Sequence, residues 1–261
     1  MVQLKRRKVI IFTDCYDIAY NEIYQSLDRN LYELGMTNYR IDPFVAIPNF
    51  SIINAAFQIR LLGELYEPES LFLVIMNSQP NNPERIFGMT SNGIYFVGNN
   101  SGYFNWLLED FGIHYLYKNH IDREKDNRSF GGKYVQVPTA CKILLGQNME
   151  ELGAPYDAYL LNEYKISLGT VVHCDNFGLM KIYNTSNLDF SEGQELQILI
   201  NDMPRCKAIF SNHFKSHPDD TWVLFRGSSL GGLPELGKVR SSNSAEILNV
   251  KVGDRISWKI V

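Results

Sequence analysis

The chain has 261 residues, 45% of them hydrophobic and 21% charged, with a formal net charge of −4. That length suits one large domain or two ordinary ones, and the mild acidity argues against a general nucleic-acid binder, which would show a basic excess. No apolar run reaches the ~18 residues of a membrane span, and the first, Val9 to Phe12, falls short of the about 7–15 residues of a signal-peptide core.

The basic cluster Lys5-Arg6-Arg7-Lys8 directly precedes that run and reads as a solvated lead-in to a strand. Cys15, Cys141, Cys174 and Cys206 are scattered without a CxxC pair, and the histidines show no HExxH spacing. No metal site and no disulfide framework is expected, and the setting is expected to be reduced and cytoplasmic.

In chain order, Val9-Ile10-Ile11-Phe12 predicts a strand buried on both faces. It ends in Thr13-Asp14, and in open α/β sheets the ligand crevice lies beyond such strand ends. Asp14 is therefore a candidate binding residue, or else the N-cap of a helix over about 18–34 closed by Gly35. Tyr39 to Val45 predicts a second strand, and Ile52 to Tyr66 a helix closed by Pro68. Leu71 to Met76 predicts a third buried strand running into the polar, proline-stiffened loop Asn77 to Pro83, with Arg85 just beyond. Ser91-Asn92-Gly93 between two apolar runs predicts a hairpin. Asn99-Asn100-Ser101-Gly102 follows, then a helix over 103–111, a charged loop over 118–128, and a helix near Pro138 to Leu145.

The stretch Gly169 to Asn184 marks a change of pattern. Thr170 to Cys174 and Leu179 to Tyr183 read as strands around the turn Asp175-Asn176-Phe177-Gly178. Asp175 either faces a ligand from this turn or caps the turn itself. Beyond it come short strands, 195–200, 207–210, 222–225 and 255–260, which suggest a small barrel or sandwich. The expected organisation is an N-terminal α/β domain over 1–160 with a mostly parallel sheet, and a C-terminal small β-barrel domain over 161–261.

Loops ending in Asp14, Asn77-Ser78, Asn99-Asn100-Ser101, Asp175 and Ser228-Ser229 offer carboxylates, amides and hydroxyls. Such groups suit ribose hydroxyls and an amino-acid carboxylate. No GxGxxG follows Phe12 and no GxxxxGK[ST] occurs, so a nucleoside-type ligand without phosphates fits better than a nucleotide.

The order of these motifs resembles the S-adenosylmethionine hydrolase (hydroxide adenosyltransferase) family, related to the fluorinase and chlorinase. The resemblance rests on Thr13-Asp14, the Ile47 to Ile59 stretch, the loop from Ile75 through Arg85, Asn99 to Gly102, Ser129 to Tyr134, Asp175 to Leu179, Gly227-Ser228-Ser229, Ser244-Ala245 with Leu248, and Gly253-Asp254. It implies a homotrimer acting on S-adenosylmethionine as substrate, with no cofactor, no nucleic acid and no membrane. It also implies that Asp14 holds the ribose hydroxyls, Asp175 the methionine ammonium and Ser228-Ser229 its carboxylate. Asn100 and Ala245 would line the ligand. Family members use an Asp, an Arg and a His around the attacking water. Here Arg85 matches, the Asp position holds Asn77 or Ser78, and the His position holds Gly131. Neither an amide nor a hydroxyl is a base near neutral pH, and losing general-base help costs about 10²–10⁴ in rate. The resemblance thus leaves open a divergent hydrolase, a catalytically weak adenosyl-compound binder, and a trimer without a ligand.

Overall fold

A computed structural model describes residues 6–77, 83–120, 130–184 and 188–261. The chain divides into two compact units, Met1–Tyr164 and Lys165–Val261.

The first unit opens with β1 (Arg7–Thr13), α1 (Ile18–Glu33), β2 (Tyr39–Ile41), β3 (Val45–Ala46), α2 (Ile52–Gly63) and β4 (Leu71–Ile75). It continues with β5 (Arg85–Thr90), β6 (Tyr95–Asn99), α3 (Asn105–Phe111), β7 (Ile113–Asn119), α4 (Val137–Leu144), α5 (Met149–Leu152) and β8 (Gly153–Pro155). The sheet runs β2-β1-β4-β6-β5-β7-β8, with β3 beside β1 as well. Pairings around β1, β4 and β6 are parallel, and those from β5 to β8 are antiparallel. The apolar runs of β1 and β4 explain this placement, because both strands are covered on both faces. On one side Val9, Ile11, Leu71 and Leu73 pack under Ile23, Leu27 and Leu31 of α1 and Ala140 and Leu144 of α4. On the other, Phe12 meets Phe72, and Phe96 meets Phe104 just ahead of α3.

Several details depart from the sequence reading. The strand expected over 39–45 is two short strands on one edge of β1, interrupted at Asp42-Pro43-Phe44, because proline has no N–H to give the ladder. The charged loop expected from Lys118 begins instead as the end of β7, and its remainder over 121–128 lies outside the described residues. The basic cluster is not simply solvated. Arg7 donates to the Leu144 carbonyl and pairs with Glu69 at 3.5 Å, and Lys8 lies 5.6 Å from the Tyr66 ring centre.

The second unit contains β9 (Val171–Cys174), β10 (Met180–Ile182), β11 (Glu195–Ile200), β12 (Met203–Phe210), β13 (Trp222–Arg226), β14 (Pro234–Lys238), α6 (Ser244–Leu248) and β15 (Ile256–Ile260). Its strands run β15-β11-β12-β13-β14-β10-β9. A bridge between Thr170 and Arg255 joins the two ends, and backbone bonds Val171 N–H to Asp254 O and Ile256 N–H to Gly169 O (both 2.8 Å) seal the seam. The sheet therefore curls into a small barrel-like form rather than a sandwich, with its two end strands joined at this seam. Leu196, Ile198, Phe210, Leu224 and Leu236 fill its interior. Among the described residues no helix is long and apolar enough to cross a membrane.

Candidate functional site

In the first unit the carboxyl ends of β1 and β4 converge on Asp14, which is buried. Its Oδ2 accepts the Phe50 N–H at 3.0 Å, its Oδ1 accepts the Asn77 N–H at 2.8 Å, and the Cys15 thiol lies 3.5 Å from Oδ1. One carboxylate thus ties the loop before α2 to the loop after β4. The alternative role foreseen for Asp14, capping α1, falls to Asp17, whose side chain accepts the Ala19 N–H at 2.9 Å. Phe50 sits at φ 60°, a left-handed conformation that is strained for an aromatic residue, and its side chain is 56% exposed. Asp14, Cys15, Tyr16, Asn49, Asn77 and Phe130 line a hollow of about 570 Å³, a size typical of small-molecule sites. A second hollow of about 560 Å³ runs along α1 past Gln25 and Arg29. No buried polar group lines it, so the Asp14 hollow is the better candidate.

Burial and the neighbouring Asp14 push the Cys15 thiol up to about 11, so it stays protonated near neutral pH and is no nucleophile. Asn77 is exposed, and Ser78 lies outside the described residues. Arg85 opens β5 opposite Asn99, and its guanidinium packs on Gly131. Gln136, which the sequence reading missed, is buried and donates to the Val74 carbonyl at 3.1 Å and to Asn99 Oδ1 at 3.4 Å. It ends a π-helical stretch, Gly132–Gln136, that leads into α4. A single glutamine between Val135 and Val137 was its one signal.

Asn100 is placed differently from a ligand-facing amide. Its Nδ2 donates to Leu160 O at 2.9 Å and Tyr156 Oη at 3.2 Å, and its Oδ1 accepts the Asn162 N–H at 2.8 Å. The whole amide thereby pins residues 156–162. Tyr156 and Lys118 in turn bond the Glu84 carboxylate, and these bonds, Lys118 first, hold it below the usual carboxylate range.

In the second unit Asp175 organises its own turn. Its Oδ1 accepts the N–H groups of Phe177 and Leu179, both at 2.9 Å. Phe177 is 66% exposed. Gly178 has φ 75°, and a Cβ there would lie 2.0 Å from Asn243 Oδ1 and 2.8 Å from Ala245 N. Only glycine lets this turn press on the start of α6, where the Ala245 methyl packs into the barrel core. Ser228 is exposed, whereas Ser229 is buried and its carbonyl accepts the N–H groups of Gly232 and Leu233 at 3.0 Å.

An outward-facing row links the serine loop to the Asp175 turn. Glu235 is buried, pairs with Lys181, and packs so close to Gly227 that a Cβ there would lie 2.0 Å from its Oε1. Lys181 faces His173 across β9 and β10. Burial, then Lys181, holds the His173 pKa below its usual value. The sequence reading missed all three residues, since isolated charges in short strands carry no motif. Among the described residues no group of three or more His, Cys, Asp or Glu side chains is arranged to hold a metal ion.

Comparison with known proteins adds three findings. Residues 37–153 match the family model of the S-adenosylmethionine hydroxide adenosyltransferase N-terminal domain. The chain is 25% identical over 230 residues to (R)-S-adenosyl-L-methionine hydrolase of Methanocaldococcus jannaschii, covering 83% of this chain and 81% of that protein. Crystal structures of an uncharacterized conserved protein from Thermotoga maritima (TM-score 0.79, 19% identity, 96% of this chain and 100% of that one) and a conserved hypothetical protein from Thermus thermophilus (TM-score 0.73, 19%, 97% and 100%) share its fold. Residues 37–153 thus match the S-adenosylmethionine hydroxide adenosyltransferase N-terminal domain, and the chain is similar along most of its length to a hydrolase of S-adenosylmethionine at 25% identity.

Proposed function

We propose that the chain binds S-adenosylmethionine or a related adenosyl compound and hydrolyses it slowly to adenosine and methionine. The observation that carries this reading is the buried Asp14 carboxylate, fixed at the mouth of a hollow of about 570 Å³. A carboxylate has about four acceptor positions. The Phe50 and Asn77 N–H groups take one on each oxygen and the weak Cys15 thiol donor a second on Oδ1, so Oδ2 keeps capacity for one ribose hydroxyl and the other hydroxyl would displace the thiol. In the reaction the oxygen of water bonds to the ribose 5′ carbon while the carbon–sulfur bond breaks. The electron pair stays on sulfur, giving neutral methionine, and the proton of the water passes to solvent. A sulfonium leaves readily, so positioning supplies most of what such a reaction needs.

The slow rate follows from the side chains at hand. Asn77 has no basic atom, and Cys15 is held as a neutral thiol. Arg85 would orient water or the leaving group. Asp175 would take the ammonium of the amino-acid end, and Ser228 and Ser229 its carboxylate, from a neighbouring copy in a cytoplasmic homotrimer. Among the described residues the carboxylates lining the hollow, Asp14 and Asp17, are both engaged with backbone N–H groups, which supports a second reading, an adenosyl-compound binder without turnover.

Incubation with S-adenosylmethionine, followed by chromatography for adenosine and methionine, separates the two. Both products should form faster than in a buffer blank, and Asp14→Ala should abolish their formation. Absence of products together with a thermal shift on adding adenosine supports the binder. Absence of both rejects the adenosyl reading.

A further inference from the structure

Gly131 has φ −60° and ψ −30°. Any residue adopts that conformation, and glycine there is unfavourable relative to alanine. The reason for glycine is space. A Cβ at position 131 would lie 2.1 Å from Arg85 Nη2, 3.0 Å from Cζ and 3.3 Å from Nε. The guanidinium therefore fills the sector in which any other residue would carry its side chain. Gly132 repeats the pattern, since a Cβ there would lie 2.6 Å from Ile75 Cγ2 at the end of β4. Residues 130–132 thus lie flat against the ends of β4 and β5, and Phe130 at their head lines the Asp14 hollow.

We propose that Gly131 is a positioning residue: its bare backbone is the seat that sets the Arg85 guanidinium beside the Asp14 hollow. The arginine stands where a side chain at 131 would stand, so the two exclude one another. A bulky side chain at this position is incompatible with the arginine as it lies here. The guanidinium is the far end of a flexible side chain, so a small residue at 131 displaces it rather than breaking the fold. The activity arm of this inference rests on the hydrolase reading; the seat itself does not.

The test is a cycle of Gly131→Ala, Arg85→Ala and the double variant, read in three ways. The Arg85 Nε–H resonance, assigned by its loss in R85A, should shift or broaden in G131A. G131A should lower the melting temperature when Arg85 is present and leave it unchanged or higher when residue 85 is alanine, because the Cβ then has room. Turnover of S-adenosylmethionine should fall at least ~tenfold in kcat for G131A with little change in KM, and the double variant should be no slower than R85A. An unmoved arginine resonance overturns the seat, as does a melting loss that is the same in both backgrounds. Additive rate losses overturn the positioning role. If the wild type yields no adenosine, the hydrolase reading fails while the resonance and melting arms still decide the seat. If G131A does not fold at all, the double variant decides: recovery of folding supports the seat, and failure overturns it.

Discussion

Asp14 shows how one side chain can serve fold and site together. Its oxygens receive backbone N–H groups from Phe50 and Asn77, two loops that meet nowhere in sequence. Asp14→Asn keeps the shape but turns one acceptor oxygen into an NH2 group that faces a donor. Each buried N–H left without an acceptor costs about 1–3 kcal/mol. The expected result is a loss of stability in that range in urea unfolding, together with loss of any adenosine-induced thermal shift. His173 offers a pH prediction at the same scale. Burial and the Lys181 charge lower its folded pKa, so the folded state binds fewer protons than the unfolded one. Stability is then fully present above the unfolded pKa of about 6.5 and falls as pH drops below it toward the folded value. The melting temperature of the wild type should fall between pH 7 and 5, and His173→Gln should remove that component. A fall of equal size in the variant would assign the loss to other groups. The sequence made Asp14 legible because it ends an apolar run. Nothing in the sequence marked His173, Lys181 or Glu235, whose meaning lies in cross-strand register and burial.

Elements were legible where burial made them uniform. The apolar runs of β1 and β4 and the Ser91-Asn92-Gly93 turn between β5 and β6 appear as read, with Gly93 at φ 88°. Elements shaped by their neighbours were not. β7 carries His114 and Lys118 on an alternating pattern and reads as polar. β14 begins at Pro234 and contains Gly237, residues that weaken a strand signal, yet it holds the buried Glu235 that pairs with Lys181 of β10. Lys181→Met would leave that carboxylate buried and unpaired, at a cost of about 3–5 kcal/mol. Replacing both partners by apolar residues of similar volume should recover much of the loss, which double-mutant unfolding measures. The segment after β8 depends on a different residue. Asn100→Ala removes three bonds to residues 156–162. Amide exchange in that segment should rise well above exchange in β4; an unchanged pattern would mean that packing, not the amide, holds it.

At the scale of the molecule, the two units follow different rules of closure. The first covers a mixed sheet with helices on both faces, and its order follows from strands that are apolar throughout. The second has few helical residues and satisfies its strands by joining β9 to β15 through Thr170 and Arg255. The sequence narrowed this to barrel or sandwich, because strand spacing alone does not say which edges meet. A barrel-like sheet with its end strands joined has its own core, and its interior residues Leu196, Ile198, Leu224 and Leu236 are fully buried. Residues 165–261 expressed alone should therefore fold, with a cooperative thermal transition and dispersed amide resonances. Arg255 adds a sharper arm, because Gly169, across the seam, has φ 86° and its Cβ would lie 2.6 Å from Ile256 O. Gly169→Val in the fragment should open the seam by straining a left-handed position and crowding that carbonyl. Loss of protection should then concentrate in β9 and β15 and leave β11 and β12 protected. A fragment that is unfolded, or a variant whose exchange rises evenly over all seven strands, would show that the seam is not what closes the barrel.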